Sequence, residues 1–290
     1  MNFIPTLRET PRQRRRAGPQ KLTTTRGSTP CYDPQRMRER TSPMTVESEK
    51  DLAGLRRVGR VVGLALREMR ENLEPGMTTG ELDGVGARVF ERFGACSAPH
   101  LLYGFPGVTC ISVNDEAVHG VPGDRVIEPG DLVKIDVTAE LDGYIADAAV
   151  TVALPPVPPP NDELRECAEF AFERAASVVR AGRPINKIGR VVETAVRRRG
   201  FTVLTELSSH GVGRAIHEPP TIPNYHDRQL RTQLTEGLVI TVEPIISAGS
   251  RRTVEGSDGW TIKTADGSPA AHHEHTIVVT KGSPIVLTAA

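Results

Sequence analysis

The chain has 290 residues, with 36 basic against 36 acidic side chains, 38% hydrophobic residues and 4 cysteines. No run of 18 apolar residues is present to span a membrane, and four cysteines do not make the dense framework of a small secreted domain. The zero net charge is an average: residues 1–43 hold ten Lys or Arg against Glu9, Asp33 and Glu39, so this head stands at +7 and the remainder at −7.

In chain order, the head combines Arg12-Gln13-Arg14-Arg15-Arg16 with scattered Pro, Thr and Ser and has no apolar stretch to offset the entropy of ordering it. It reads as a disordered extension, either a solvated tail or an arm that meets phosphate, as on a ribosome. Residues 44–290 are enough for one large domain or two small ones, with a core that needs no staples. Leu52, Leu55, Val58, Val62, Leu66 and Met69 recur at steps of three or four, which predicts an amphipathic helix ending before Pro75-Gly76. Thr78 and Glu81 form a capping box for a second helix buried through Leu82, Val85, Val89 and Phe90. The period then shortens. Residues 110–113, 132–138 and 144–154 read as strands, with Asp142-Gly143 as a hairpin turn. After a proline-rich bend, Asn161 or Asp162 is expected to cap a helix carrying Leu164, Cys167 and Phe170, and another runs from Pro184 to Gly200. Strands return at 201–204, 238–242 and 275–279. This double pass of helix pair and strands predicts an α+β body in two similar halves, although no residue-by-residue repeat is visible. Cys31, Cys96, Cys110 and Cys167 are widely spaced with no CxxC pair and read as reduced thiols.

Several carboxylates interrupt the apolar segments. Asp136 sits inside Leu132-Val133-Lys134-Ile135-Asp136-Val137-Thr138, where an unpaired charge is costly to bury. The Asp142-Gly143 turn can return Asp147 beside it, and two such charges repel unless a cation lies between them. Hydrogen-bonded strand residues are the plainer reading of this segment alone. His210 and His217 flank a Gly-rich stretch, Glu243 ends an apolar strand before Pro244, and Glu274 opens another. Oxygen-rich ligation with one imidazole suits a pair of hard or borderline divalent ions better than a structural zinc. Such a pair supports hydrolysis of an amide, and on composition alone of a phosphate ester as well.

The ordered set resembles the type I methionine aminopeptidases over residues 45–279. It rests on Tyr103-Gly104-Phe105-Pro106, Cys110 to Asn114, Val118-His119-Gly120-Val121-Pro122, Asp136-Val137-Thr138, His210 to Arg214 with His217-Glu218, Val242-Glu243-Pro244, Asp258-Gly259-Trp260-Thr261 and Glu274-His275-Thr276. The resemblance implies a pita-bread, creatinase-like fold: two pseudo-symmetric halves around a curved, mainly antiparallel sheet. It implies two divalent ions, cobalt, manganese, iron or zinc, held by Asp136, Asp147, His210, Glu243 and Glu274, with Asp147 and Glu274 bridging. Glu243 would also handle the proton of the attacking water, and His119 and His217 would contact the scissile peptide. Phe105, Cys110 and Trp260 would form the methionine pocket, with Leu102 and Ile216 at its rim. The implied substrate is a nascent polypeptide or short peptide beginning with Met before a small second residue. A cytoplasmic monomer that meets no membrane is implied with it.

The chain also departs from the family pattern. Leu102 stands in place of a tyrosine, Ile216 in place of a phenylalanine, Ala146-Asp147-Ala148-Ala149 in place of a Gly-Asp-Thr/Ser segment, and Ser209 in place of a glycine. All five expected ligands are intact, so these changes bear on substrate range and turnover. The competing readings are an Xaa-Pro peptidase, which normally carries a large folded domain before this one, and a binding-only relative, which would be marked by lost ligands.

Overall fold

The computed structural model describes residues 42–289. The expected disordered extension therefore lies outside the described residues, apart from Ser42 and Pro43. Helix α1, Glu49–Asn72, starts at Ser48, whose Oγ accepts from the Asp51 amide at 3.2 Å, and buries Leu55, Val58, Val62, Leu66 and Met69. Helix α2, Thr79–Phe93, carries the anticipated capping box at its N-terminus with both bonds made: Glu81 N donates to Thr78 Oγ1 at 3.1 Å and Thr78 N to Glu81 Oε2 at 2.7 Å. The short strand β1, Cys96–Ser97, and the one-turn-plus helix α3, Ala98–Tyr103, follow without having been expected.

Strands β2, Cys110–Val113, and β3, Glu116–Val118, lead to the long hairpin of β4, Leu132–Leu141, and β5, Tyr144–Ala153. Asp142 and Gly143 turn it with φ of 54° and 79°, the left-handed pair that a two-residue hairpin turn requires. Helix α4, Pro159–Ala176, begins earlier than expected. Pro158 takes the cap position with no side-chain cap bond, so neither Asn161 nor Asp162 caps it; the prolines supply a pre-set φ for the first turn. Helix α5, Asn186–Arg198, is closed by Gly200 at φ 84°.

The remaining strands are short: β6 Thr202–Val203, β7 Ser208–Gly211, β8 Glu218–Pro223, β9 Val239–Val242, β10 Ile245–Ser247, β11 Thr253–Glu255, β12 Ile262–Thr264, β13 Ala270–His272, β14 Glu274–Val278 and β15 Ile285–Val286. A nine-stranded sheet runs β1-β4-β5-β14-β9-β7-β8, with β2 also on β4 and β15 on β14. Its pairs are antiparallel and the sheet is curved. Helices α1 and α2 share one apolar core with the β4–β5 hairpin, including Leu55, Met69, Ile135, Val137 and Ile145. A second core joins α4 and α5 to β9 and β14 through Leu164, Ile188, Val192, Ile240 and Ile277. The expected α+β organisation, two helix pairs on one large antiparallel sheet, is what forms. Cys110 and Cys167 are free and buried, while Cys96 is disulfide-bonded, which overturns the reduced reading at that position.

Candidate metal centre

The hairpin register sets the first two carboxylates. Thr138 pairs with Asp147 and Asp136 with Ala149, so Asp136 and Asp147 are diagonal neighbours on one face of the sheet. On the far side of β5, Glu274 pairs with Ala149, which adds a third carboxylate to that face. Strand β14 then pairs with β9, His275 opposite Val242, bringing Glu243 alongside, and β7 delivers His210 next to Thr241. Four side chains from β4, β5, β7 and β14 and a fifth, Glu243, from just after β9 are thus brought together.

Polar neighbours fix them. Thr138 Oγ1 donates to Asp147 Oδ1 at 2.9 Å, and Thr276 Oγ1 accepts from Asp147 N at 2.8 Å. Thr241 Oγ1 donates to Glu243 Oε1 at 2.8 Å, while Glu243 N donates to Ser209 Oγ at 2.9 Å. His210 Nδ1 meets the Gly211 carbonyl at 2.9 Å, which assigns the proton to Nδ1 and leaves Nε2 as the donor pair facing Glu243 Oε1 at 3.3 Å. An imidazole tied through one nitrogen to a carbonyl is the usual arrangement of a metal-ligating histidine.

The electrostatics call for positive charge. Burial, then the charges of Asp147 and Glu243, push Asp136 well above the usual carboxylate range. Burial, then Asp147, Glu243 and Asp136, do the same to Glu274, and burial raises Glu243. Asp147 is raised to about 6 by burial, against the lowering effect of Thr138. Asp136 Oδ1 and Glu274 Oε1 are buried with no hydrogen-bond partner. Two clusters, Asp147–His210–Glu274 and Glu243–His272–Glu274, are positioned to chelate divalent ions, each with ligand atoms within 4.8 Å of one another. Orphaned carboxylate oxygens beside imidazole nitrogens are the donor set that hard to borderline divalent cations take.

Around the cluster lie the other expected residues. His217 stands over His210, ring centroids 4.5 Å apart, and its Nδ1 meets Tyr103 Oη at 3.1 Å. His119 adopts φ 58° beside Gly120, where a Cβ would come within 2.2 Å of the Ile111 carbonyl. Burial holds His119 down at about 4 and lowers His217, so both rings are neutral at neutral pH. Phe105 is buried edge-on against the half-buried Trp260, 5.3 Å between centroids, and Asp258 Oδ1 accepts from the Trp260 amide at 2.9 Å. Cys110 pairs with Asp136, and burial followed by the Asp136 charge raises its thiol well above the ordinary range. Leu102 and Ile216 are buried and belong to the apolar core that the first helix pair shares with the β4–β5 hairpin. His272, Tyr103, Ser209, Thr138 and Thr241 were not among the expected site residues. His272 had a signal, since alternation along 272–275 puts His272 and Glu274 on one face and His273 and His275 on the other.

A family model described as metallopeptidase family M24 matches residues 53–281. The chain belongs to that family. Among M24 relatives, methionine aminopeptidase 2 of Bacillus subtilis is 45% identical over 247 residues, spanning 84% of this chain and 99% of that protein. The solved methionine aminopeptidase of Thermotoga maritima is 33% identical with a TM-score of 0.81, covering 85% of this chain and 100% of that one. A prolidase from Pyrococcus furiosus, 23% identical with a TM-score of 0.68, shares the fold, and the match covers 65% of its chain. The M24 chain is accordingly a metal-dependent aminopeptidase of the methionine aminopeptidase group. Among the described residues, no helix is long and apolar enough to cross a membrane.

Proposed function

We propose that this M24 enzyme removes the initiator methionine from nascent or short peptides whose second residue is small. The observation that carries the reading is the convergence of Asp136, Asp147, His210, Glu243 and Glu274 on one sheet face, with buried carboxylate oxygens left unmatched. When bound, two divalent ions supply Lewis-acid activation of water and of the amide carbonyl. Glu243 takes the proton of the attacking water and returns it to the departing amine. Asp136, Asp147, His210, Glu243 and Glu274 would hold the ions, which would supply that activation within the cluster. The neutral His119 and His217 donate hydrogen bonds to the peptide and to the oxygen that becomes negative. Phe105, Cys110 and Trp260 enclose the methionine side chain. Leu102 and Ile216 shape this pocket by packing behind it, which keeps it apolar with less aromatic contact area.

Residues 44–290 act as one catalytic unit in the cytoplasm, as a monomer. The basic head is an arm that draws the enzyme toward ribosomal phosphate. The test strips the purified protein of metal and adds cobalt, manganese, iron or zinc separately. Release of methionine from Met-Ala-Ser, and much less from Met-Leu-Ser, is expected. No metal-dependent release would sink the assignment, and preferential cleavage before proline would move it to the Xaa-Pro peptidases.

A further inference from the structure

His272 enters the cluster from the end of β13 with a side chain 2% exposed. Its Nε2 lies 3.4 Å from Glu274 Oε2 and 3.8 Å from Glu243 Oε2. Neither ring nitrogen has a hydrogen-bond partner. Leaving a buried polar group unmatched is costly, so the ring is held for something these contacts do not supply. The separations are too long for good hydrogen bonds. They fit the edges of a coordination polyhedron: with bonds of about 2.1 Å, neighbouring donors stand about 3.0 Å apart at a right angle and about 3.8 Å apart at 130°. The adjacent His273 and His275 are differently placed. Both turn to the other side and pack on Phe172, with centroids 5.2 and 5.0 Å from its ring.

We propose that His272 is a sixth protein ligand, giving a second imidazole nitrogen through Nε2 to the ion that Glu243 and Glu274 hold. This rests on the reading of the cluster as a metal centre and adds to the five ligands of that reading. One coordination position otherwise left to solvent is filled by protein. A second imidazole also shifts the preference of the site from manganese toward cobalt, iron and zinc, because nitrogen donors favour the later and softer ions.

The test uses the full chain. With one equivalent of manganese(II) bound to the unaltered protein, pulsed electron paramagnetic resonance should detect two imidazole nitrogens coupled to the ion. Calorimetric titration of His272→Gln should show cobalt and zinc binding weakened about 10-fold or more, manganese binding weakened less, and one nitrogen coupling lost. A single coupled nitrogen in the unaltered protein, or unchanged affinities in the variant, overturns the sixth ligand and leaves methionine release standing. Because the resonance experiment needs no substitution, a variant that fails to fold does not block the test. Absence of metal binding altogether would overturn both this assignment and the peptidase reading.

Discussion

At the residue scale, the groups proposed to act on the peptide bond also strain the protein that carries them. Glu243 is buried among Asp147, His210 and Glu274, and its carboxyl is raised by that burial. Replacing it with Gln removes the proton carrier and a ligand while relieving like-charge crowding. Glu243→Gln should therefore lower kcat by about 10²–10⁴-fold, while the melting temperature of the metal-free protein at pH 7.5 stays level or rises. A variant that lost stability as well as turnover would show that the carboxylate is structural. Ser209, where the family pattern has glycine, accepts the Glu243 amide at 2.9 Å. Ser209→Gly leaves that buried N–H unmatched, a loss of about 1–3 kcal/mol readable in urea unfolding, with a smaller fall in kcat from a loosened Glu243. Asp136, Asp147, Glu243 and Glu274 drew attention in the sequence because a carboxylate within or at the end of an apolar strand needs a reason, whereas the ligand set with His210 came from the family resemblance. His272 was masked by a histidine-rich run, and Tyr103 because its contact with His217 joins segments far apart in the chain.

At the scale of elements, long periodic pieces were legible and short ones were not. Helices α1 and α2 and the β4–β5 hairpin carry their own pattern, cap and turn. Strands β3, β11 and β12 have three residues each, too few to display a period, and exist through pairing: β12 joins β11 to the distant β3. Strand β8 contains Pro219, Pro220 and Pro223, which argue against a strand, yet it lies at the sheet edge where missing N–H donors are tolerated. The loop between β7 and β8, which carries His217, is held by Glu218. Its carboxylate accepts from Met44 N at 2.5 Å and from Arg214 N and Ala215 N at 2.7 Å each. Glu218→Ala should destabilise the fold by on the order of 3 kcal/mol and raise KM through a displaced His217. Thr78→Ala, which breaks only the α2 cap, should cost about 1 kcal/mol with unchanged kcat and KM. Equal effects of the two on catalysis would count against Glu218 as the anchor of that loop.

For the whole molecule, the centre joins two helix-backed cores, and its protonation couples the metal to stability. A carboxyl raised in the fold binds protons more tightly there than in the unfolded chain. Its contribution is favourable at low pH and is lost as pH rises from the ordinary carboxylate range through the folded value, about 6 for Asp147, with Asp136, Glu243 and Glu274 raised by burial in the same direction. Cations bind the deprotonated forms. The rise in melting temperature on adding cobalt or zinc should therefore grow between pH 5 and pH 7.5, and calorimetry should record proton release that is larger at the acid end. A metal effect independent of pH would show that these carboxylates are already ionised in the metal-free fold. The division of charge seen in the sequence acquires a different weight here, since four negative groups of the acidic body belong to the cluster. Between Asp136 and Glu274 the chain passes through α4, α5 and most of the short strands. An ion held by both closes that stretch into a ring, and ring closure takes freedom mainly from the unfolded state. The centre works as a removable crosslink, so a chelator should shorten the lifetime of the folded enzyme as well as stop its turnover.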